Sequence, residues 1–271
     1  MKKIIALILA TSILSCKKKE INDIPSYMSI NSVTLDENST HNISDVWIYI
    51  DDNLQGVYEL PANFPILDEG THKLRVKAGI KDNGISAKRI PYPFYASFII
   101  EEYDFKPEET KIIAPVFKYI EDVSLDNMSE DFDGIGLNLE IDSLTFSISN
   151  ITSLDENYGV IKLADSILLS ELSTQVFNAP LEGAPVYLEL DYFCNTQFLV
   201  GIYVNFPQSA VLRKDLLWIN EKEEWNKIYI NLTSAISEAV GAEGFKIFIE
   251  VNRDFSKNEN TVNIDNLRII Y

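Results

Sequence analysis

The pattern that most restricts this chain is a period of two. In His72-Lys73-Leu74-Arg75-Val76-Lys77 the apolar Leu74 and Val76 alternate with basic residues. Successive side chains of a strand point to opposite faces, so the apolar pair faces inward and the charges face water. Val46-Trp47-Ile48-Tyr49-Ile50 is β-branched and aromatic, and 97–100 and 112–117 are built in the same style. Asp51-Asp52-Asn53, Asp68-Glu69-Gly70 and Asp82-Asn83-Gly84 interrupt these runs with residues that accept tight-turn backbone. No strong helical period appears in this stretch before residue 160. The pattern predicts an all-β fold, in which sheets bury one face against another sheet.

The second half continues the theme. Strands are predicted over 185–194, 198–206, 227–230, 245–251 and 261–271. One short helix is predicted over 233–240, because Leu232, Ile236 and Val240 lie four apart and Gly241 can end it in a left-handed conformation. The acidic run "YIEDVSLDNMSEDFDG" reads as the start of a second domain, and 271 residues suffice for two domains of medium size.

The amino terminus has a separate logic. Lys2 and Lys3 precede an apolar run over 4–14 that is short for a bilayer span, which needs about 20 residues. It has the length of a signal-peptide core and ends in Ile13-Leu14-Ser15-Cys16. Aliphatic residues, a small residue and then cysteine resemble the bacterial lipobox. The resemblance implies cleavage after residue 15, a lipid on Cys16 as membrane anchor, and, with Lys17 rather than aspartate following it, an outer-membrane destination. Residues 16–28 are expected to be a tether, with Lys17, Lys18 and Lys19 as a basic collar beside the lipid.

The stretch from Trp47 to Gly79, with "VWIYIDDNLQG", "ELPANFPIL" and "DEGTHKLRVKAG", resembles PEGA-type β-sandwich modules, and an immunoglobulin-like or PEGA-like sandwich is expected over 29–118. Residues 119–271, with "PVYLELDYFCN", "FLVGIYVNF", "EEWNKIYINLT" and "VNIDNLRIIY", resemble the jelly rolls of carbohydrate-binding modules and galactose-binding-like domains. The whole chain resembles an outer-membrane lipoprotein of Bacteroidota. The triplets Asp142-Ser143-Leu144 and Asp165-Ser166-Ile167 resemble the O-glycosylation signal of exported proteins of that phylum.

Several residue sets are candidates for chemistry or binding. The net charge of -18 argues against nucleic acid as a partner, since phosphate binding needs clustered cations. The two histidines, His41 and His72, sit in no zinc or triad motif. Glu189 and Asp191 in "ELD" project from one strand face, but retaining glycosidases need a second carboxyl about 5 Å away, and no acid/base residue follows. The expected role of "ELD" is therefore an outward polar face, and the protein is expected not to be an enzyme. Cys194 alternates onto the inward face as a buried thiol. Asp133 and Asp265 are the candidate ligands of a structural calcium ion, a feature that several jelly rolls carry. Tyr92, Phe94 and Tyr95 in "RIPYPFYASF" either form an exposed ridge for a partner or cap the core. Trp218, Trp225 and Tyr229 either stack on a sugar or pack inward. Together these features predict a lipid-anchored, non-catalytic component that binds an envelope protein, for example in a secretion or motility complex. The alternative is a glycan-binding lipoprotein of a polysaccharide-uptake system.

Overall fold

The computed structural model describes residues 24–271 except 37–38, 124–127, 152–155 and 165. Cys16, the lysines that follow it and Asp165 lie outside the described residues. The strands of the first half are β1 (Ser26–Ile30), β2 (Thr34–Leu35), β3 (Asp45–Ile50), β4 (Asn53–Glu59), β5 (Ala62–Ile66), β6 (Gly70–Lys81), β7 (Arg89–Pro91), β8 (Phe98–Phe105), β9 (Thr110–Ile112) and β10 (Val116–Phe117). Those of the second are β11 (Ser129–Glu130), β12 (Leu139–Glu140), β13 (Phe146–Ile151), β14 (Glu156–Leu163), β15 (Leu169–Thr174), β16 (Tyr187–Cys194), β17 (Phe198–Asn205), β18 (Leu212–Ile219), β19 (Lys222–Asn231), β20 (Gly244–Asn252) and β21 (Asn260–Ile270). A single short helix, α1 (Thr233–Ser237), is found among the described residues.

The first half is a sandwich. A sheet of order β4-β3-β6-β7, with β8 also on β6, faces a three-stranded sheet of order β5-β1-β9, and β2 pairs with β10. The period of two in β6 is realised: Leu74 and Val76 are fully buried, and their basic neighbours are half-buried. β1 begins at Ser26, inside the segment expected to be tether. Met28 and Ile30 are buried there and Ser26 pairs with Ile66, so apolar alternation pulls the end of that segment into the sheet.

The second half is a larger sandwich. One sheet runs β13-β14-β21-β16-β19, with β11 on β21; the other runs β12-β15-β20-β17-β18. Val186, Leu188, Leu190, Tyr192 and Cys194 of the β16 segment point into its core, against Phe198, Val200 and Ile202 of β17 and Ile247 and Ile249 of β20. α1 is shorter than predicted. Leu232 and Ile236 are fully buried, but Val240 is 81% exposed, because the chain leaves the helix after Ser237, ahead of the left-handed Gly241.

The two halves are packed on one another. The apolar core of the first continues into Tyr187, Tyr229 and Ile270 of the second. These three lie on the outer face of the six-stranded sheet, which the first sandwich covers. β16 is therefore buried on both faces, the condition of a strand in the middle layer of three.

Candidate functional site

The covered face of the six-stranded sheet carries the polar residues that alternate with its core. Tyr187, Glu189 and Asp191 of β16 stand beside Asn231, Tyr229 and Lys227 of β19, and beside Ile270, Arg268 and Asp265 of β21. Asp265 and Arg268 are three apart and would fall on opposite faces of a regular strand. A bulge opposite 189–191, with Asn266 in the left-handed region (φ 47°), turns both outward. Asparagine tolerates that backbone better than most residues.

Glu189 is fully buried here. It accepts hydrogen bonds from the Tyr92 and Tyr119 hydroxyls, each at 2.8 Å, and Lys227 Nζ stands 3.4 Å away. Burial, and then the Glu189 charge, push the Tyr92 and Tyr119 hydroxyls well above the usual phenol range, so both remain donors. Lys227 is also 3.5 Å from Asp191 and donates to Thr40 Oγ1 at 3.1 Å, while Thr40 donates to Asp191 at 2.5 Å. Tyr95 and Tyr229 share a hydroxyl–hydroxyl bond of 3.0 Å, and Tyr187 donates to Asp82 at 2.9 Å. The Tyr92 ring meets Tyr187 and Tyr229 at centroid distances of 5.3 and 4.8 Å.

This network corrects two expectations. The "ELD" carboxylates do face away from the second core, but they face the first domain, and Glu189 has no route to substrate. Tyr92, Phe94 and Tyr95 are all buried; they form no exposed ridge, because the surface they meet belongs to the same chain. Tyr229 joins them and cannot stack on a sugar. Cys194 is a buried free thiol in the second core, as its place in the alternation predicts, and burial pushes its pKa up.

With one sheet covered, the five-stranded sheet is the open face of the second domain. Its outward row contains Tyr203 and Gly201 on β17, Arg213 and Asp215 on β18, Phe248 and Glu250 on β20, and Glu171 on β15. The Arg213 guanidinium lies 4.1 Å from the Phe248 ring centroid and pairs with Glu171 at 2.8 Å and Glu250 at 2.6 Å. Gly201 makes room for Phe248: a Cβ there would overlap the ring.

At the end of this face, three turns that join the two sheets enclose a cleft of about 540 Å³. They are the β16–β17, β18–β19 and β20–β21 connections. Trp218, 48% exposed on edge strand β18, forms one wall. Thr196, Gln197, Asn220, Asn252 and Asp254 supply hydroxyl, amide and carboxylate groups to the others. The 253–260 loop is held in place by Arg253, which donates to the carbonyls of Leu163 at 2.6 Å and Asn258 at 2.6 Å and to Asn260 Oδ1 at 3.0 Å. Lys257 ties the same loop to Glu221 and to the Asn195 carbonyl. A half-exposed indole among such polar groups can pack the C–H face of a sugar ring while its hydroxyls find donors and acceptors.

The remaining candidates are dispersed. Trp225 lies on β19 of the other sheet, 38% exposed, with its ring 4.6 Å from Phe193 and 5.5 Å from Tyr158. It shares no cleft with Trp218. Asp133 and Asp265 do line one hollow between the domains. Asp133 is exposed and accepts from the Asn157 N–H at 2.9 Å and from its amide at 2.8 Å. Among the described residues no group of three or more His, Cys, Asp or Glu stands close enough to hold a metal ion. Asp265 is 8% exposed, and its carboxyl is pushed up to about 7, by burial first and then by the charges of Asp191, Asp133 and Glu156. Ser143 sits in an exposed turn.

No protein-family description matches the sequence, and no curated protein matches it. Among solved structures, the chain is similar to a protein described under the promiscuous specificity of carbohydrate-binding modules from the β-sandwich superfamily. The identity is 14%, covering 90% of this chain and 98% of that one, with a TM-score of 0.41. It is also similar to the CBM22-2 xylan-binding domain of Paenibacillus barcinonensis Xyn10C, at 14% identity over 52% of this chain and 96% of that one, TM-score 0.38. A third is the family 11 carbohydrate-binding module of Clostridium thermocellum, at 12% identity over 53% of this chain and 94% of that one, TM-score 0.35. The likeness is distant and extends to neither ligand nor role.

Proposed function

We propose that the protein is a lipid-anchored, non-catalytic glycan-binding component of the bacterial outer membrane, with the Trp218 cleft as its ligand site. The observation that carries the reading is Trp218 itself. A large aromatic side chain left half exposed in a polar cleft loses the stabilisation of burial, and ligand binding is a use that offsets that loss. The polar lining suits hydroxyl groups, and the rigid turns around it keep the site in shape without a ligand. The sequence-based expectation of an envelope-protein partner loses its one named contact surface, because Tyr92, Phe94 and Tyr95 are buried against the second domain. The lipid on Cys16 and the outer-membrane location rest on the lipobox-like sequence.

Affinity electrophoresis of the mature chain through gels containing a panel of neutral polysaccharides tests this. At least one is expected to retard the parent and not the Trp218→Ala protein. Absence of retardation by all of them, together with a stoichiometric protein partner in a pull-down, would overturn it.

A further inference from the structure

A second cleft, of about 410 Å³, opens where the two domains meet. Its walls come from both: Thr40 and His41 from the first, and Asp191, Trp225, Asn266 and Asp265 from the second. It lies on the six-stranded sheet and shares no lining residue with the Trp218 cleft on the other sheet.

Three features of this cleft leave bonding capacity or apolar surface that the fold does not use up. First, Asp191 is only 5% exposed, yet its Oδ1 has no hydrogen-bond partner. Its ion-pair partner, Lys227 Nζ, stands 3.5 Å off and is shared with Glu189. An unsatisfied buried carboxylate oxygen is costly, and a cavity beside it is where a ligand group would satisfy it. Second, Asp265 is held beside Asp191 with one internal donor, the Asn266 N–H at 2.7 Å. Third, Trp225 stands 38% exposed at the cleft, with Phe193 and Tyr158 packed behind it.

We infer that this cleft binds an amino sugar, with its ammonium group set between Asp191 and Asp265 and its ring against Trp225. Charge selects the class. Glu156, Asp191 and Asp265 line the cleft, and Asp131 and Asp133 line the adjoining hollow. The cations there are Lys227, already engaged by Glu189, and Arg268. An anionic ligand would be repelled. For a bare metal ion, no three His, Cys, Asp or Glu side chains stand together among the described residues. Asp191 Oδ2 is taken by Thr40 and the Asn266 amide, and an organic ammonium supplies donors to the open Asp191 Oδ1 and to Asp265, with a positive charge that an indole also attracts. Ser39, Thr40, Asn226 and Asn266 provide the hydroxyl and amide groups that a pyranose ring would use.

Isothermal titration of the mature chain with the trisaccharide of glucosamine tests the inference, with the N-acetylglucosamine trisaccharide as the uncharged control. The glucosamine form is expected to bind at least about tenfold more tightly than the acetylated one. Asp265→Asn is expected to abolish that preference, and Trp218→Ala to leave it intact. Circular dichroism of the Asp265→Asn protein separates lost binding from lost fold. No binding of the glucosamine trisaccharide, equal binding of both forms, or a preference that survives Asp265→Asn would each overturn the inference. Loss of the preference in Trp218→Ala would also overturn it, by placing the binding in the other cleft. Neutral-polysaccharide binding at Trp218 is read separately, so the two sites stand or fall independently.

Discussion

Tyr92 of the first domain donates its hydroxyl hydrogen to Glu189 Oε1 of the second at 2.8 Å, with both side chains buried. The bond crosses from one sandwich to the other and joins residues 97 apart in sequence. Around it, Tyr119 and Lys227 meet Glu189, and Thr40 and the Asn266 amide donate to Asp191 Oδ2. The domains are thus joined by an interface in which polar groups are paired inside an aromatic surround, which makes their relative position specific.

Tyr92→Phe removes one donor from a buried carboxylate and keeps the ring. Urea denaturation is expected to show a loss of about 1.5–3 kcal/mol. Lys227→Met strips the shared cation from two carboxylates and is expected to cost more, about 3–5 kcal/mol. Unchanged midpoints for both proteins would contradict the interface.

Asp265 carries a pH signature. Its carboxyl is raised from 3.8 to about 7, so the folded state holds this proton more tightly than the unfolded chain. The stability linked to it is fully present below about pH 4 and is lost as pH rises through 7. Asp265→Asn removes this dependence. Thermal unfolding should find the variant more stable than the parent at pH 8, by on the order of 2 kcal/mol, with the advantage shrinking towards pH 4.

Trp218→Ala should separate binding from folding. The residue is 48% exposed on an edge strand, so unfolding free energy is expected to change by less than about 1 kcal/mol while polysaccharide retardation disappears. A large stability loss in thermal unfolding would place Trp218 in the packing of the sheet instead.

Gly201→Ala tests the open face from beneath. The added Cβ would collide with the Phe248 ring and lie 2.6 Å from the Lys214 carbonyl oxygen. A loss of about 1–3 kcal/mol is expected in denaturant titration, as overpacking typically costs. It should also displace Arg213 from its seat over that ring, measurable as a changed near-ultraviolet circular dichroism spectrum.

Cys16→Ser removes the acyl acceptor of the lipobox-like sequence. Fractionation of cells expressing it is expected to move the protein from membrane to soluble fractions; a protein that still sediments with membranes would refute the anchor. Myristoyl-scale anchoring by a single chain is weak, so a firmly held parent also implies more than one acyl chain.

Alternation of apolar and polar residues was enough to fix the β class and the apolar face of most strands. Leu74 and Val76 point inward because a period of two leaves them no other common face, and Cys194 follows Leu188, Leu190 and Tyr192 into the core for the same reason. A strand pattern is local, and so is the information needed to read it. What alternation cannot decide is what lies across from the other face. Glu189 and Asp191 read as solvent-facing because polar residues on a strand usually are, and Tyr92, Phe94 and Tyr95 read equally well as a ridge or a cap. Only the tertiary structure brings "YPFY" onto "YLELD", and burial of both follows from that single contact. The bulge at Asn266 is of the same kind: it reverses the face of Arg268 relative to simple alternation, and only the positive φ discloses it. Trp218 and Trp225 are seven residues apart in the sequence and resemble one platform. The β18–β19 connection places them on different sheets, so one chain presents two separate aromatic clefts.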